Sequence, residues 1–291
     1  MTFVVDRSER GKLALTGPDA KSFLQGQVTQ DIESLTPGHG GYAAFLTHKG
    51  KMLGDLRVFD LGDELLLDCE RVALQELFNM IRRYKLGSDV ELHKRTLELA
   101  LFSVIGPDAP DLAGPEEHDC ARVSLGGAQV VAARTDVGVD VFCPAGDREA
   151  VRAALEFPDG TEADAEVVRV ERGRPRFGVD IDDGTIPQEA GLNERAVSFT
   201  KGCYVGQETV ARLYYRGKPN RRLLGLRLSA PAPTGSELRL GEKVVGRLGS
   251  SVVSPELGPI GLALVRREAS PGDTVEVGGV NALIVDVPFI R

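Results

Sequence analysis

The hydrophobic positions of this chain change period several times, and those changes divide it into elements. G-K-L-A-L-T-G, residues 11–17, alternates as a short strand. P-D-A-K-S-F-L-Q-G-Q follows as a helix, with Thr16 or Gly17 as cap and Pro18 in the first helical position, where a missing N–H is harmless. Residues 35–41 make a turn-rich connection. Y-A-A-F-L-T, L-G-D-L-R-V-F-D-L and E-L-L-L-D-C then read as successive strands joined by turns at H-K-G-K and G-D. Leu74, Leu77, Phe78, Ile81 and Tyr84 recur at three- and four-residue spacing, which predicts a helix over residues 71–86 with one buried stripe, ended by Gly87.

A strand at L-A-L-F-S-V-I comes next, then an irregular stretch containing Pro and Gly, then strands at Q-V-V-A-A-R and G-V-D-V-F. Residues 147–155 and 163–172 read as two further helices, the second closed by Gly173. After Arg216 the texture changes. Residues 221–291 hold short Val- and Leu-rich runs separated by Gly, Pro and Ser with no helical period, the pattern of a small all-β barrel or sandwich. Mixed elements followed by strands alone give an α+β class with an appended β domain.

At 291 residues the chain needs more than one core. Its 42% hydrophobic and 27% charged residues are the balance of a soluble globular protein. No apolar run approaches the roughly 20 residues of a membrane span, and the first ten residues do not read as a signal peptide, so no membrane partner is expected. The net charge of -8 argues against nonspecific nucleic-acid binding. Cys69, Cys120, Cys143 and Cys203 are far apart, without a C-x-x-C pair, which fits a cytoplasmic protein with reduced thiols better than a zinc, cluster or disulfide framework.

Cys203 stands out, with Lys201 before it and a helix expected to start near Gly206. The lysine charge and the helix N-terminus both favour a thiolate, and Gly202 and Gly206 free the backbone. A buried packing cysteine in a tight turn is the other reading. His39, His48, His93 and His118 all lie in the first half and show no metal-ligand spacing, and no base neighbours Cys203 in sequence. G-R-P-R-F-G, residues 173–178, lacks the Lys-Ser/Thr ending of a phosphate loop; Arg172, Arg174 and Arg176 make it either a basic turn or an anion site. Glu171 sits at a helix C-terminus, where the dipole disfavours a carboxylate, so it is kept for a ligand or for a nearby arginine. Arg212, Arg216, Lys218, Arg221 and Arg222 form a basic run that reads mostly as solvated surface, with an anion site for a polycarboxylate as the alternative.

K-G-C-Y-V-G-Q-E, residues 201–208, resembles the signature of the YgfZ family of folate-binding proteins, relatives of the aminomethyltransferase (T-protein) of the glycine cleavage system. Residues 15–32 are similar to the family's opening helix segment. Y-A-A-F-L-T-H-K-G-K-M-L-G-D-L resembles the T-protein's Tyr…Gly…Asp-Asp-Leu stretch, and R-V-E-R-G-R-P-R-F-G its Arg-Leu-Glu-Ala-Gly stretch. The resemblance implies an aminomethyltransferase-like folate-binding module over residues 1–218, of two intertwined α+β subdomains, and a β-barrel over 219–291. It implies tetrahydrofolate or a one-carbon derivative in a central channel of a three-part ring, with Glu171 holding the pterin and Tyr42, Asp55, Tyr204, Gln207, Glu208 and Arg212 joining the folate site.

Two departures bear on activity. The T-protein's paired aspartates appear here as Gly54-Asp55, and Cys69 stands where it has an asparagine. The YgfZ resemblance implies an accessory role in assembling or repairing iron–sulfur clusters in client enzymes, with Cys203 as functional thiol beside Lys201. A folate-dependent aminomethyl or one-carbon transferase resting on Asp55, and a folate sensor with a structural Cys203, are the alternatives.

Overall fold

The alternating segments of the first half build two five-stranded sheets in the computed structural model, which describes residues 1–290. Strands β1 (Phe3–Asp6) and β2 (Gly11–Thr16) precede a short helix, α1 (Ala20–Gln25). Then come β3 (Gly40–Leu46), β4 (Met52–Asp60), β5 (Leu65–Cys69) and helix α2 (Leu74–Tyr84). β6 (Glu91–Lys94), β7 (Leu99–Ile105), β8 (Cys120–Leu125), β9 (Ala128–Thr135) and β10 (Gly138–Pro144) follow, with α3 (Arg148–Ala154) and α4 (Glu162–Glu171) after them. One sheet has the order β1-β7-β10-β9-β8 and the other β3-β4-β5-β2-β6.

Period-2 patterning decides how these sheets meet. Phe59 and Leu66 of one pack with Leu101, Cys120, Ala133 and Phe142 of the other, and the Phe59 and Phe142 rings lie 5.8 Å apart. The same inner face carries charge: Arg57 of β4 reaches Asp68 at 2.6 Å and Asp140 of the facing sheet at 2.6 Å. Arg10 adds a second cation on Asp68, which has no exposed surface. Buried charge is tolerated there because each member is paired and hydrogen-bonded. The opposite face of the second sheet lies under α2, where a Cβ on Gly54 would come within 2.6 Å of Phe45 and 2.7 Å of Ala73.

The α2 helix follows a 3-10 turn at Arg71–Ala73 and buries Leu77, Met80 and Ile81. Tyr84, expected in the stripe, is 49% exposed and Met80 takes its place. The helix ends at Tyr84 rather than running to Gly87. α1 also starts later than the Pro18 signal predicts. Gly17 sits at φ +102°, where a Cβ would lie 2.3 Å from the Asp89 carbonyl, so residues 17–18 belong to a turn and Asp19 is the cap residue.

Two compact units account for the described chain. One comprises Met1–Thr47, Leu53–Glu162 and Arg195–Val205, and so holds both sheets. The other comprises His48–Met52, Ala163–Glu194 and the chain from Gly206 onward. In this second unit lie the first two residues of the short helix α5 (Asn193–Ala196), then α6 (Gln207–Arg216) and a closed antiparallel barrel. Its strands are β11 (Arg221–Leu228), β12 (Glu237–Leu240), β13 (Lys243–Ser254), β14 (Gly258–Arg266), β15 (Thr274–Val277) and β16 (Val280–Val285), in the order β11-β14-β13-β12-β15-β16. The barrel read from the tail is therefore present, filled by Leu226, Leu238, Leu248, Val277 and Ile284 among others. Val170 of α4 packs on its outer side with Leu223, Ile260 and Leu262.

Candidate functional site

The segment carrying Cys203 is irregular, yet it is held closely to residues 25–30. Ser198 N–H donates to the Thr29 carbonyl at 2.9 Å, Val205 N–H to the Gly26 carbonyl at 3.2 Å, and the Thr29 hydroxyl to the Ala196 carbonyl at 2.5 Å. Lys201 completes the attachment. Its ammonium donates to the carbonyls of Gln25, Val28 and Gln30 at 2.6, 2.7 and 2.7 Å, and stands 5.2 Å from the Tyr204 ring centre. Burial draws the Lys201 pKa down to about 8, opposed by Asp31 and Glu33. An ammonium has three hydrogens, and all three are committed to the loop, so Lys201 acts as its anchor and has no donor left for Cys203.

Cys203 is exposed, whereas Cys69, Cys120 and Cys143 are buried. Burial raises the thiol pKa of all three buried cysteines, Cys143 to about 11 and Cys120 to about 12. Gly206 takes φ +85°, and α6 begins at the next residue. A Cβ on Gly202 would meet nothing within 4 Å. Tyr204 is half-buried, and burial lifts its hydroxyl pKa to about 12.

In the same unit Tyr42 and Asp55 form a pair. The tyrosine hydroxyl donates to Asp55 Oδ2 at 2.6 Å. Asp55 is 6% exposed, and burial pushes its pKa up to about 6, aided by Glu70 and opposed by the Tyr42 hydrogen bond and Arg10. Burial and the neighbouring Asp55 hold the Tyr42 pKa well above the usual phenol range. Arg195 lies 5.4 Å from the centre of the Tyr42 ring and pairs with Glu117. Cys69 lies on the far side of its sheet, against Gly11. His39 pairs with Asp119 and His93 with Thr16, while His48 is exposed. Among the described residues no group of three or more His, Cys, Asp and Glu side chains is arranged to hold a metal ion.

Glu171 lies in the other unit, as the last residue of α4. Ser254, buried on β13, donates its hydroxyl to Glu171 Oε1 at 2.6 Å, and Ser254 Oγ in turn accepts the N–H groups of Glu256 and Leu257 at 3.2 and 3.0 Å. The Glu171 carbonyl accepts the Phe289 N–H at 2.9 Å, which satisfies one of the carbonyls that end a helix. Oε2 has no partner among the described residues. Of the neighbouring arginines, Arg176 is bound to Glu166 at 2.9 Å.

Gln207, Glu208 and Arg212 all lie on α6; Gln207 is half-buried, Glu208 and Arg212 exposed. Thus Cys203, Lys201, Tyr204, Tyr42 and Asp55 share one unit, and Glu171, Gln207, Glu208 and Arg212 the other. Sequence reasoning missed Ser254 and Arg195. Neither has a local signal, because each acts on a residue far away in the chain.

The chain matches the GCVT N-terminal domain over residues 2–201 and the glycine cleavage T-protein C-terminal barrel domain over residues 221–290. A chloroplastic protein of Arabidopsis thaliana, provisionally named a transferase, is 29% identical over 99% of this chain and 71% of its own length. An aminomethyltransferase of Rubrobacter xylanophilus is 30% identical over 98% of the chain and 82% of its own. The crystal structure of the glycine cleavage system aminomethyltransferase T from Bartonella henselae superposes with a TM-score of 0.88 at 22% identity, covering 99% of this chain and 86% of that one. Two domain matches that together span nearly the whole chain define an aminomethyltransferase-type fold with its barrel. The chain belongs to the glycine cleavage T-protein (GCVT) family.

Proposed function

We propose that this chain is a tetrahydrofolate-binding accessory protein of the YgfZ branch, acting in the cytoplasm to support assembly or repair of iron–sulfur clusters in other enzymes, with Cys203 as its functional thiol. The observation that carries the folate half is Glu171. Ser254 fixes one carboxylate oxygen from inside the fold, and the other is open among the described residues. A carboxylate so held fits the adjacent N–H groups of a pterin, which it would accept as charge-assisted hydrogen bonds. Tyr42, Asp55, Tyr204, Gln207, Glu208 and Arg212 belong to the same proposal and are to be tested singly.

Two features favour an accessory role over transfer chemistry. The paired aspartates are reduced to Asp55, and Gly54 has no room for a side chain. Cys203 is the exposed cysteine of the four and lies in the K-G-C-Y-V-G-Q-E segment. A lone exposed thiol suits transient contact with a cluster or an electrophile passed to a client protein. The second reading, an aminomethyl or one-carbon transferase, is favoured by Asp55 itself: a buried carboxyl at about 6, hydrogen-bonded to Tyr42, is placed for proton transfer near neutral pH.

Calorimetric titration with tetrahydrofolate under nitrogen tests the folate half. Saturable binding is expected, weakened about 30-fold or more by Glu171→Ala, the equivalent of losing about 2 kcal/mol of charged hydrogen bonding. No binding by the native chain would overturn it. For the thiol half, Cys203→Ser should fail to restore cluster-enzyme activity in cells lacking the protein, while the native chain restores it. Consumption of tetrahydrofolate with an aminomethyl donor, lost in Asp55→Asn, would establish the transferase instead.

A further inference from the structure

One surface extends beyond the proposed folate and thiol sites and shares only Arg212 with them. α6 buries Val210 but leaves Arg212, Tyr214, Tyr215 and Arg216 exposed, with Tyr215 at 67%. Arg212, Tyr215 and Arg216 fall on one face of the helix by their three- and four-residue spacing. The Tyr214 and Tyr215 rings meet edge to face, 5.0 Å between centres. Tyr84, Tyr214 and Tyr215 are the exposed aromatic residues among the described residues, so two of the three lie side by side here.

The positive charge continues beyond the helix. Lys218 and Arg222 are exposed, and Arg221 lies opposite Arg266 in the β11–β14 register. The Arg267 N–H donates to the Asn220 carbonyl at 3.0 Å, which fixes the end of β14 beside the α6–β11 connection. Arg221 is neutralised by Glu189 at 2.8 Å. Arg212, Arg216, Lys218, Arg222, Arg266 and Arg267 have no acidic partner among the described residues. All six belong to the barrel-containing unit. Like charges so grouped repel one another, a cost that folding alone gives no reason to keep.

We infer that the end of α6 and the adjoining β11–β14 edge form a docking surface for an acidic segment of a partner protein. Exposed tyrosine and unpaired arginine are the side chains that dominate binding energy at protein interfaces. Charge complementarity selects the occupant: carboxylates pair with arginine bidentately, and the aromatic pair gives the apolar contact that a purely ionic surface lacks. A nucleic-acid strand and a second copy of this negatively charged chain are the rival occupants. The inference does not depend on folate binding.

The test uses the full chain and a fluorescein-labelled peptide of ten glutamates interrupted by two leucines, followed by anisotropy. Binding is expected, weakening as salt rises from 50 to 300 mM, and falling about ten-fold or more in Arg216→Glu/Lys218→Glu/Arg222→Glu. Tyr215→Ala should weaken binding several-fold with the salt dependence kept, because it removes apolar contact and no charge. Circular dichroism melts of both variants should match the native chain, since every substituted side chain is exposed. Failure to bind the peptide, tighter binding of a single-stranded oligonucleotide of equal charge, or self-association abolished by the triple variant would each overturn the inference.

Discussion

Two buried aspartates in the same unit sit in opposite electrostatic regimes. Asp68 is enclosed by burial, which opposes its charge, but Arg10 and Arg57 override that and hold its pKa at about 2. Asp55 has no arginine in direct contact among the described residues, and burial lifts it to about 6. The signs follow from linkage. Asp68 is depressed below an unfolded value of about 3.9, so its stabilisation is present at neutral pH and lost as the pH falls from about 4 to 2. Asp55 is raised, so its contribution is full below about pH 4 and lost as the pH climbs through 6. Asp55→Asn should therefore stabilise the chain at pH 8, by up to about 3 kcal/mol for a two-unit shift, with the gain vanishing near pH 4. Urea melts at the two pH values check this; equal effects at both would contradict it. Asp68→Asn should cost about 3–5 kcal/mol at pH 7, because two buried guanidinium groups lose their anion. Gly54 gives the complementary steric case. Gly54→Ala places a methyl within 2.6 Å of Phe45, with an expected cost of about 1–3 kcal/mol. Phe45→Leu should recover part of that loss if the Phe45 ring is the obstacle. At this scale the sequence was informative about residue identity and silent about environment: Gly54-Asp55 could be quoted from the chain, but the Phe45 ring that excludes a side chain there comes from the preceding strand, β3.

Among elements, legibility followed burial more than place in the sheet: β3 is an edge strand, yet its mostly buried residues made it readable. The central strands β4, β5, β7, β9 and β10 and the helices α2 and α4 carry enough apolar periodicity to be read directly. The strands not read were β1, β6 and β8, and all three are sheet edges. An edge strand is half-solvated, and β6 (E-L-H-K) has no fully buried residue, so there is no alternation to detect. β8 lies inside the stretch taken as irregular. The Cys203 segment is a different kind of element, ordered by hydrogen bonds to another loop rather than by its own period. Lys201→Met keeps most of the apolar stem but leaves three carbonyls without their donor, and should destabilise by about 2–4 kcal/mol. Hydrogen exchange should then speed up in residues 25–30 and 198–205 together. Faster exchange in only one of the two segments would mean that Lys201 does not couple them.

For the molecule as a whole, the barrel announced itself in sequence, but the residues it depends on did not. Its unit recruits His48–Met52 and Ala163–Glu194 from upstream. Leu223 N–H donates to the Glu189 carbonyl at 2.8 Å, Arg221 pairs with Glu189, and Val170 covers Leu223, Ile260 and Leu262 on the barrel's outer side. Such links join positions more than thirty residues apart and leave no local pattern, so a linear reading does not find them. A fragment comprising residues 219–291 would expose those three side chains, forfeiting about 1.5–3 kcal/mol for each that becomes solvated. Set against the 5–15 kcal/mol of a typical domain, that loss is enough to unfold a small barrel or make it self-associate. Size-exclusion chromatography and a thermal melt decide the matter. Aggregation or a melt far below that of the full chain is expected, and co-expression with residues 1–218 should restore a soluble complex. A monomeric fragment that melts cooperatively at the temperature of the full chain would show instead that the barrel carries its own stability and that the upstream segments merely rest upon it.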